Sequence, residues 1–254
     1  MPRIRSCFAG GRKAFVAFVT AGDPTLDRTV ELALELDASG VDILELGVPF
    51  SDPLADGPVI QRSSERALRA GATLAGVLEA ARRIRERCAL PIVLFSYLNP
   101  LLRHGLPRVA REARACGVDG VLVTDMPPEE AADWLAVARD VDLDTIFLAA
   151  PTSPDERLRR IASASRGFVY AISRTGVTGE RDALSADAAP LVARLRALTS
   201  EPVALGFGIS TAEQVRAAAA VADGVVVGSA LVRFLEAHPQ GDVRAFVRSL
   251  RTPA

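Results

Sequence analysis

Val41-Asp42-Ile43-Leu44-Glu45-Leu46-Gly47 is a short apolar run closed by glycine, and Val48-Pro49-Phe50-Ser51-Asp52-Pro53-Leu54-Ala55-Asp56-Gly57-Pro58 follows it as a turn-rich segment. Outward from this unit the same rhythm repeats in both directions: an apolar, often β-branched run, a turn rich in Gly, Pro or Asp, then a longer stretch with helical spacing. Eight runs can be counted, at residues 14–20, 41–47, 92–97, 120–124, 145–149, 168–172, 203–206 and 224–228. Between them lie amphipathic or alanine- and arginine-rich stretches, at 29–39, 73–88, 108–116, 129–139, 155–163, 188–198 and 211–220. Near-continuous apolar strands alternating with helices predict a parallel sheet covered on both faces. Eight units of about 30 residues each use up the chain, so a single (βα)8 barrel over residues 1–254 is the economical expectation. A doubly wound open sheet is the alternative, but no GxGxxG follows the first run and no Pro/Ser-rich linker divides the chain. In a barrel the site belongs at the C-terminal ends of the strands.

The 254 residues are 49% hydrophobic and 24% charged, with a net charge of -1, which argues against disorder and against a nucleic-acid-binding surface. Scarcity narrows the chemistry further. There are two histidines, His104 and His238, and one lysine, Lys13. A histidine metal site, a Ser-His-Asp triad or a Schiff base would therefore depend on one or two fixed positions, and carboxylates become the stronger candidates. Cys7, Cys88 and Cys116 are odd in number and show no CxxC pattern, so a reducing compartment, the cytoplasm, is expected. No secretory h-region begins the sequence and no apolar stretch approaches 20 residues, so no membrane span is expected.

Strand alternation puts Ile43, Glu45 and Gly47 on one face and Leu44 and Leu46 on the other. If the leucines face the helix layer, Glu45 points into the barrel. A carboxylate there either pairs with an arginine or holds its proton, because burying it charged and alone costs several kcal/mol. The segment after it carries three prolines and two aspartates in eleven residues, long and stiff for a βα connection. Asp52 and Asp56 could cap turns or act in a site. Gly206-Phe207-Gly208 and Gly228-Ser229 end the last two runs, where barrels often cradle phosphate on backbone N–H groups and a helix N-terminus. Ser173-Arg174-Thr175-Gly176-Val177-Thr178-Gly179-Glu180-Arg181 is polar and glycine-bearing, and reads as a lid or as an ordinary surface loop.

The run from Leu44 to Gln61 closely resembles the signature of the tryptophan synthase alpha subunit family. The resemblance extends through 15–24, Tyr97 with Asn99-Pro100, Asp125-Met126-Pro127, 173–179, 206–210 and Gly228-Ser229-Ala230, in the family's order. It implies a (βα)8 barrel that cleaves indole-3-glycerol phosphate to indole and glyceraldehyde 3-phosphate by a retro-aldol step. By resemblance Glu45 is the general acid/base, Asp56 the second carboxylate at the indole N–H, and Tyr170 an active-site tyrosine. Phe18, Phe95, Leu122, Thr124, Leu148 and Val226 match positions around the indole ring. Gly179, Phe207, Gly208, Gly228 and Ser229 match the phosphate positions, with Thr178 near the aspartate loop. The family works as an alpha2beta2 heterotetramer, so a beta subunit is the expected partner, with 49–58 resembling the segment that contacts it. Pyridoxal phosphate would belong to that partner, with no cofactor or metal in this chain. Two features depart from the pattern: residues 1–13 are short for a segment that closes the barrel bottom, and Thr124 stands where Ala or Pro is commoner. A stand-alone lyase releasing free indole would use the same residues and remains the alternative.

Overall fold

The computed structural model describes residues 2–172 and 185–251. Nine strands run parallel: β1 (Ala14–Thr20), β2 (Ile43–Gly47), β3 (Ile92–Ser96), β4 (Gly120–Val123), β5 (Asp144–Ile146), β6 (Leu148–Ala149), β7 (Val169–Ile172), β8 (Val203–Gly206) and β9 (Gly224–Val227). Their order is β5-β4-β3-β2-β1-β9-β8-β7-β6. The two ends of this ladder are the halves of one run, interrupted at Phe147. The first half bonds to β4 and the second to β7, so the sheet curls round into a (βα)8 barrel. The ninth strand is thus a break in the expected fifth, where one segment has to serve two neighbours.

Alternation sorts the side chains as the sequence implied. Leu44 and Leu46 pack outward among helix residues such as Leu36, Val77 and Ile84. Ile43 joins Val16, Phe18, Val93, Phe95, Leu122, Ile146, Phe168, Tyr170 and Val226 inside the barrel. The register Phe18, Glu45, Val93 across β1, β2 and β3 puts the Glu45 side chain among these inner residues. The short N-terminal segment forms the helix Arg3–Ser6, whose buried Ile4 sits with Phe8 against the starts of β4 and β9. That helix closes the end of the barrel opposite the Glu45 end.

Helices cover the outside. Pro58–Arg69, Leu98–His104 and Ser229–Ala237 are more regular than their sequences suggested, since each begins directly from a βα turn and is shaped by what it packs against. Among the described residues no helix is long and apolar enough to cross a membrane.

Candidate active site

At the C-terminal end of the strands a cleft of about 450 Å³ of atom-free space, its open mouth included, is walled by Phe18, Glu45, Asp56, Ile60, Phe95, Tyr170, Phe207, Gly208, Ile209, Val226, Gly228 and Ser229. Ten of these were candidates from the sequence. They reach one place because they lie on the inner faces of β1, β2, β3, β7 and β9 or on the segments that follow β2, β8 and β9.

Glu45 is 1% exposed, and its Oε1 has no hydrogen-bond partner among the described residues. Loss of water disfavours the anion, pushing the carboxyl up from 4.5 to about 8. The arginine-paired role left open by the sequence finds no partner among the described residues. At neutral pH the group carries a proton and can donate it into the cleft.

Asp56 lies at the end of the loop after β2 and is 7% exposed. The Tyr97 hydroxyl donates to its Oδ2 at 2.9 Å and accepts from the Ala55 N–H at 3.0 Å. Gln61 Nε2 donates to the Asp56 main-chain oxygen at 2.8 Å. Burial pushes the Asp56 carboxyl up to about 6 and the Tyr97 bond opposes it, so the group is mostly an anion at neutral pH. Gly57, not Asp56, holds the N-cap position of Pro58–Arg69, and the Asp56 side chain turns to the cleft and to Tyr97. Asp52 is exposed, with Ser51 Oγ donating to it, and takes no part in the cleft wall.

Tyr170 stands on β7, its phenol held far up by burial and by the negative charges of Glu45 and Asp56. It therefore acts as a neutral donor or acceptor. Its hydroxyl crosses β8 at Gly206, where a Cβ would come within 2.2 Å of the oxygen; only glycine leaves that path open. Phe207 meets the Tyr170 ring edge-on at 5.9 Å, and Phe18 meets Phe95 edge-on at 5.1 Å, giving two apolar walls on which a flat ring can rest.

The anion end is made of backbone. Phe207 and Gly208 are consecutive left-handed residues at φ 72° and 79°. Such a conformation at phenylalanine costs on the order of 1–3 kcal/mol and is kept where surroundings demand it. Gly228 is the N-cap of Ser229–Ala237 and makes no side-chain cap hydrogen bond, so the positive end of this helix faces the cleft.

The remaining candidates fall elsewhere. Leu122 is fully buried behind Phe95 in the barrel interior. Thr124 and Leu148 line a neighbouring cleft with Phe147 and Ile172, and Thr124 Oγ1 donates to the Ser96 carbonyl. Thr178, Gly179 and the 173–181 lid lie outside the described residues. Sequence reasoning gave no role to Tyr97, Ile60 or Ile209. Tyr97 was within reach, since alternation from Val93 and Phe95 leads to it. Among the described residues no group of three or more His, Cys, Asp or Glu side chains could hold a metal.

Known proteins share this arrangement. The family described as "Tryptophan synthase alpha chain" matches residues 4–252. A tryptophan synthase alpha chain of Geobacter sulfurreducens is 54% identical, covering 99% of this chain and 98% of the relative. A Mycobacterium tuberculosis tryptophan synthase structure superposes with a TM-score of 0.91 at 42% identity, covering 98% of this chain and 95% of that one. One from the Pyrococcus furiosus tryptophan synthase a2b2 complex gives 0.88 at 40%, covering 93% and 97%. A family match over residues 4–252 and a relative 54% identical over nearly the whole chain place the chain in the tryptophan synthase alpha chain family.

Proposed function

We propose that this chain is a tryptophan synthase alpha subunit, a lyase that splits indole-3-glycerol phosphate into indole and glyceraldehyde 3-phosphate. The observation that carries the reading is Glu45: a buried carboxyl whose Oε1 has no hydrogen-bond partner among the described residues, which keeps its proton at neutral pH and faces the same cleft as an ionised Asp56. In the reaction the Glu45 carboxyl gives its proton to indole C3. The resulting carboxylate takes the proton of the glycerol hydroxyl as the C–C bond breaks and the carbonyl of glyceraldehyde phosphate forms, so Glu45 ends as it began. Asp56 accepts a hydrogen bond from the indole N–H and stabilises the cation while C3 is tetrahedral; the nitrogen keeps its proton, and the ring becomes aromatic again as the electron pair of the broken C–C bond returns to it. Tyr170 bonds to the glycerol portion. Phe18, Phe95 and Val226 enclose the ring, with Leu122 paired beside Phe95 in the barrel interior. The backbone of Phe207, Gly208, Gly228 and Ser229, with Gly179, holds the phosphate, and Thr178 is assigned to the substrate site beside the aspartate loop.

The Pyrococcus furiosus relative belongs to an a2b2 complex, and we assign this chain the same kind of partner: a beta subunit that receives indole. Exposed Leu54, in the segment 49–58, and Leu102 supply apolar surface for it. Pyridoxal phosphate is assigned to that subunit. Three free cysteines agree with a cytoplasmic setting. The test is indole release from indole-3-glycerol phosphate by the purified chain, with and without beta subunit. Activation on mixing is expected; equal rates would mean a stand-alone lyase, and no indole under either condition would reject the reading.

A further inference from the structure

We propose that Arg66 is a positioning residue that fixes the carboxylate half of the cleft against its anion-binding half. Arg66 Nε and Nη2 donate to Asp23 Oδ1 and Oδ2 at 2.8 and 2.7 Å, a two-pronged pair. Its Nη1 donates to Glu236 Oε1 at 2.7 Å. Glu236 also receives Arg62 Nε and Nη2 at 3.0 and 2.9 Å. None of these four residues lines the cleft, yet they join three elements that build it.

Arg66 and Arg62 lie on Pro58–Arg69. That helix starts two residues after Asp56, holds the Asp56 carbonyl through Gln61, and contributes Ile60 to the cleft wall. Glu236 lies near the end of Ser229–Ala237, whose first residues form the anion end. Asp23 follows β1, the strand bearing Phe18. Thr20 and Ser63 share a buried hydrogen bond of 2.6 Å that pins the middle of Pro58–Arg69 to the end of β1. That bond, with Gln61 and the buried Val59 and Ile60, holds the first half of the helix. Arg66, one turn past Ser63, holds its second half at two separate points, Asp23 and Glu236.

Isolated exposed ion pairs contribute little, about 0–1 kcal/mol, but a bidentate arginine within a four-charge network is the arrangement that does restrain geometry. The inference rests on the function proposed above, since it matters only for a ligand that must touch both halves at once. For such a ligand a misplacement of about 1 Å can lower the rate 10²-fold, while a ligand touching one half is indifferent to it.

The experiment compares full-length Arg66→Met, Arg66→Lys and Glu236→Gln with the unmodified chain, each saturated with beta subunit. It reads kcat and KM for indole-3-glycerol phosphate, and separately the binding of indole and of inorganic phosphate. Arg66→Met is expected to lower kcat/KM about 10-fold or more, with each fragment bound within about twofold of the unmodified chain. Arg66→Lys restores part of the rate, keeping the charge without the fork. Glu236→Gln, which spares the Asp23 pair, gives a smaller loss of the same kind and serves if Arg66→Met does not fold. Fragments weakened as much as the whole substrate, or kcat/KM unchanged while thermal stability falls, would overturn the positioning role. No indole from the unmodified chain would instead remove the functional reading beneath it.

Discussion

Glu45 and Asp56 are two carboxyls in one cleft whose surroundings separate them, about 8 against about 6. Acid chemistry needs Glu45 protonated and charge stabilisation needs Asp56 ionised, so both conditions hold together between those values. A plot of kcat/KM against pH is expected to be bell-shaped, rising near pH 6 and falling near pH 8, with apparent midpoints that belong to the pair. Glu45→Gln keeps shape without a transferable proton and is expected to lower kcat by about 10²–10⁴-fold with little change in KM. A variant keeping more than about a tenth of the rate would remove Glu45 from the proton transfer. The same group writes a signature into stability. Its folded pKa stands above the ordinary 4.5, so its contribution is full below about 4.5 and is lost as pH rises through about 8. Thermal melts should therefore show the unmodified chain losing stability between pH 5 and 8 more steeply than Glu45→Gln. Parallel losses would mean the carboxyl is not held dry. Tyr97→Phe takes away the bond that opposes the burial of Asp56, so the acid limb should move to higher pH while the alkaline limb stays.

At the scale of elements, the end of β8 sets where Tyr170 can reach. A methyl group at Gly206 would lie 2.2 Å from the Tyr170 hydroxyl, a contact that forces the phenol aside. Gly206→Ala is expected to lower kcat/KM at least tenfold, an amount typical of displaced positioning groups, with a crystal structure showing Tyr170 in a new rotamer. An unchanged rotamer with full activity would contradict the geometry. The strands and the inward face of β2 were legible in the sequence because period-2 alternation is strictly local. Glu45 was legible for the same reason. The break at Phe147 was not, because it answers to two neighbours distant along the chain, β4 and β7, and no local pattern encodes them. Tyr97 went without a role since its partner Asp56 sits 41 residues away on a loop whose path only the folded barrel fixes. Thr124 lies past the last residue of β4, where strand alternation no longer sets a side chain's direction, and Leu148 begins β6 after the break at Phe147; both line the neighbouring cleft.

Across the whole molecule, the chemistry occupies one end of the barrel and a plug the other. Ile4 is fully buried, its methyls against the strand-start glycine Gly120 and against Gly167, while Phe8 stacks at 5.8 Å on Phe168, the innermost of a ring column that continues to Tyr170 at 6.4 Å. Two outcomes can be distinguished. If the plug only seals the core, Ile4→Ala deletes buried methyl groups and costs about 2–5 kcal/mol of stability. At about 2–4 °C per kcal/mol for a chain of this size, that is a fall in Tm of roughly 4–20 °C. Well below the melt, kcat and KM would then stay as they were. If strain instead travels up the ring column, Tyr170 shifts and kcat falls at temperatures where the fold is intact. The first outcome is expected, because close-packed interiors relax locally around a small cavity and Asp56 is held from the other end, by the loop after β2 and by Tyr97. Melting curves and steady-state kinetics on the same preparation decide it, with unchanged kcat beside a lowered Tm marking the two ends as energetically separate.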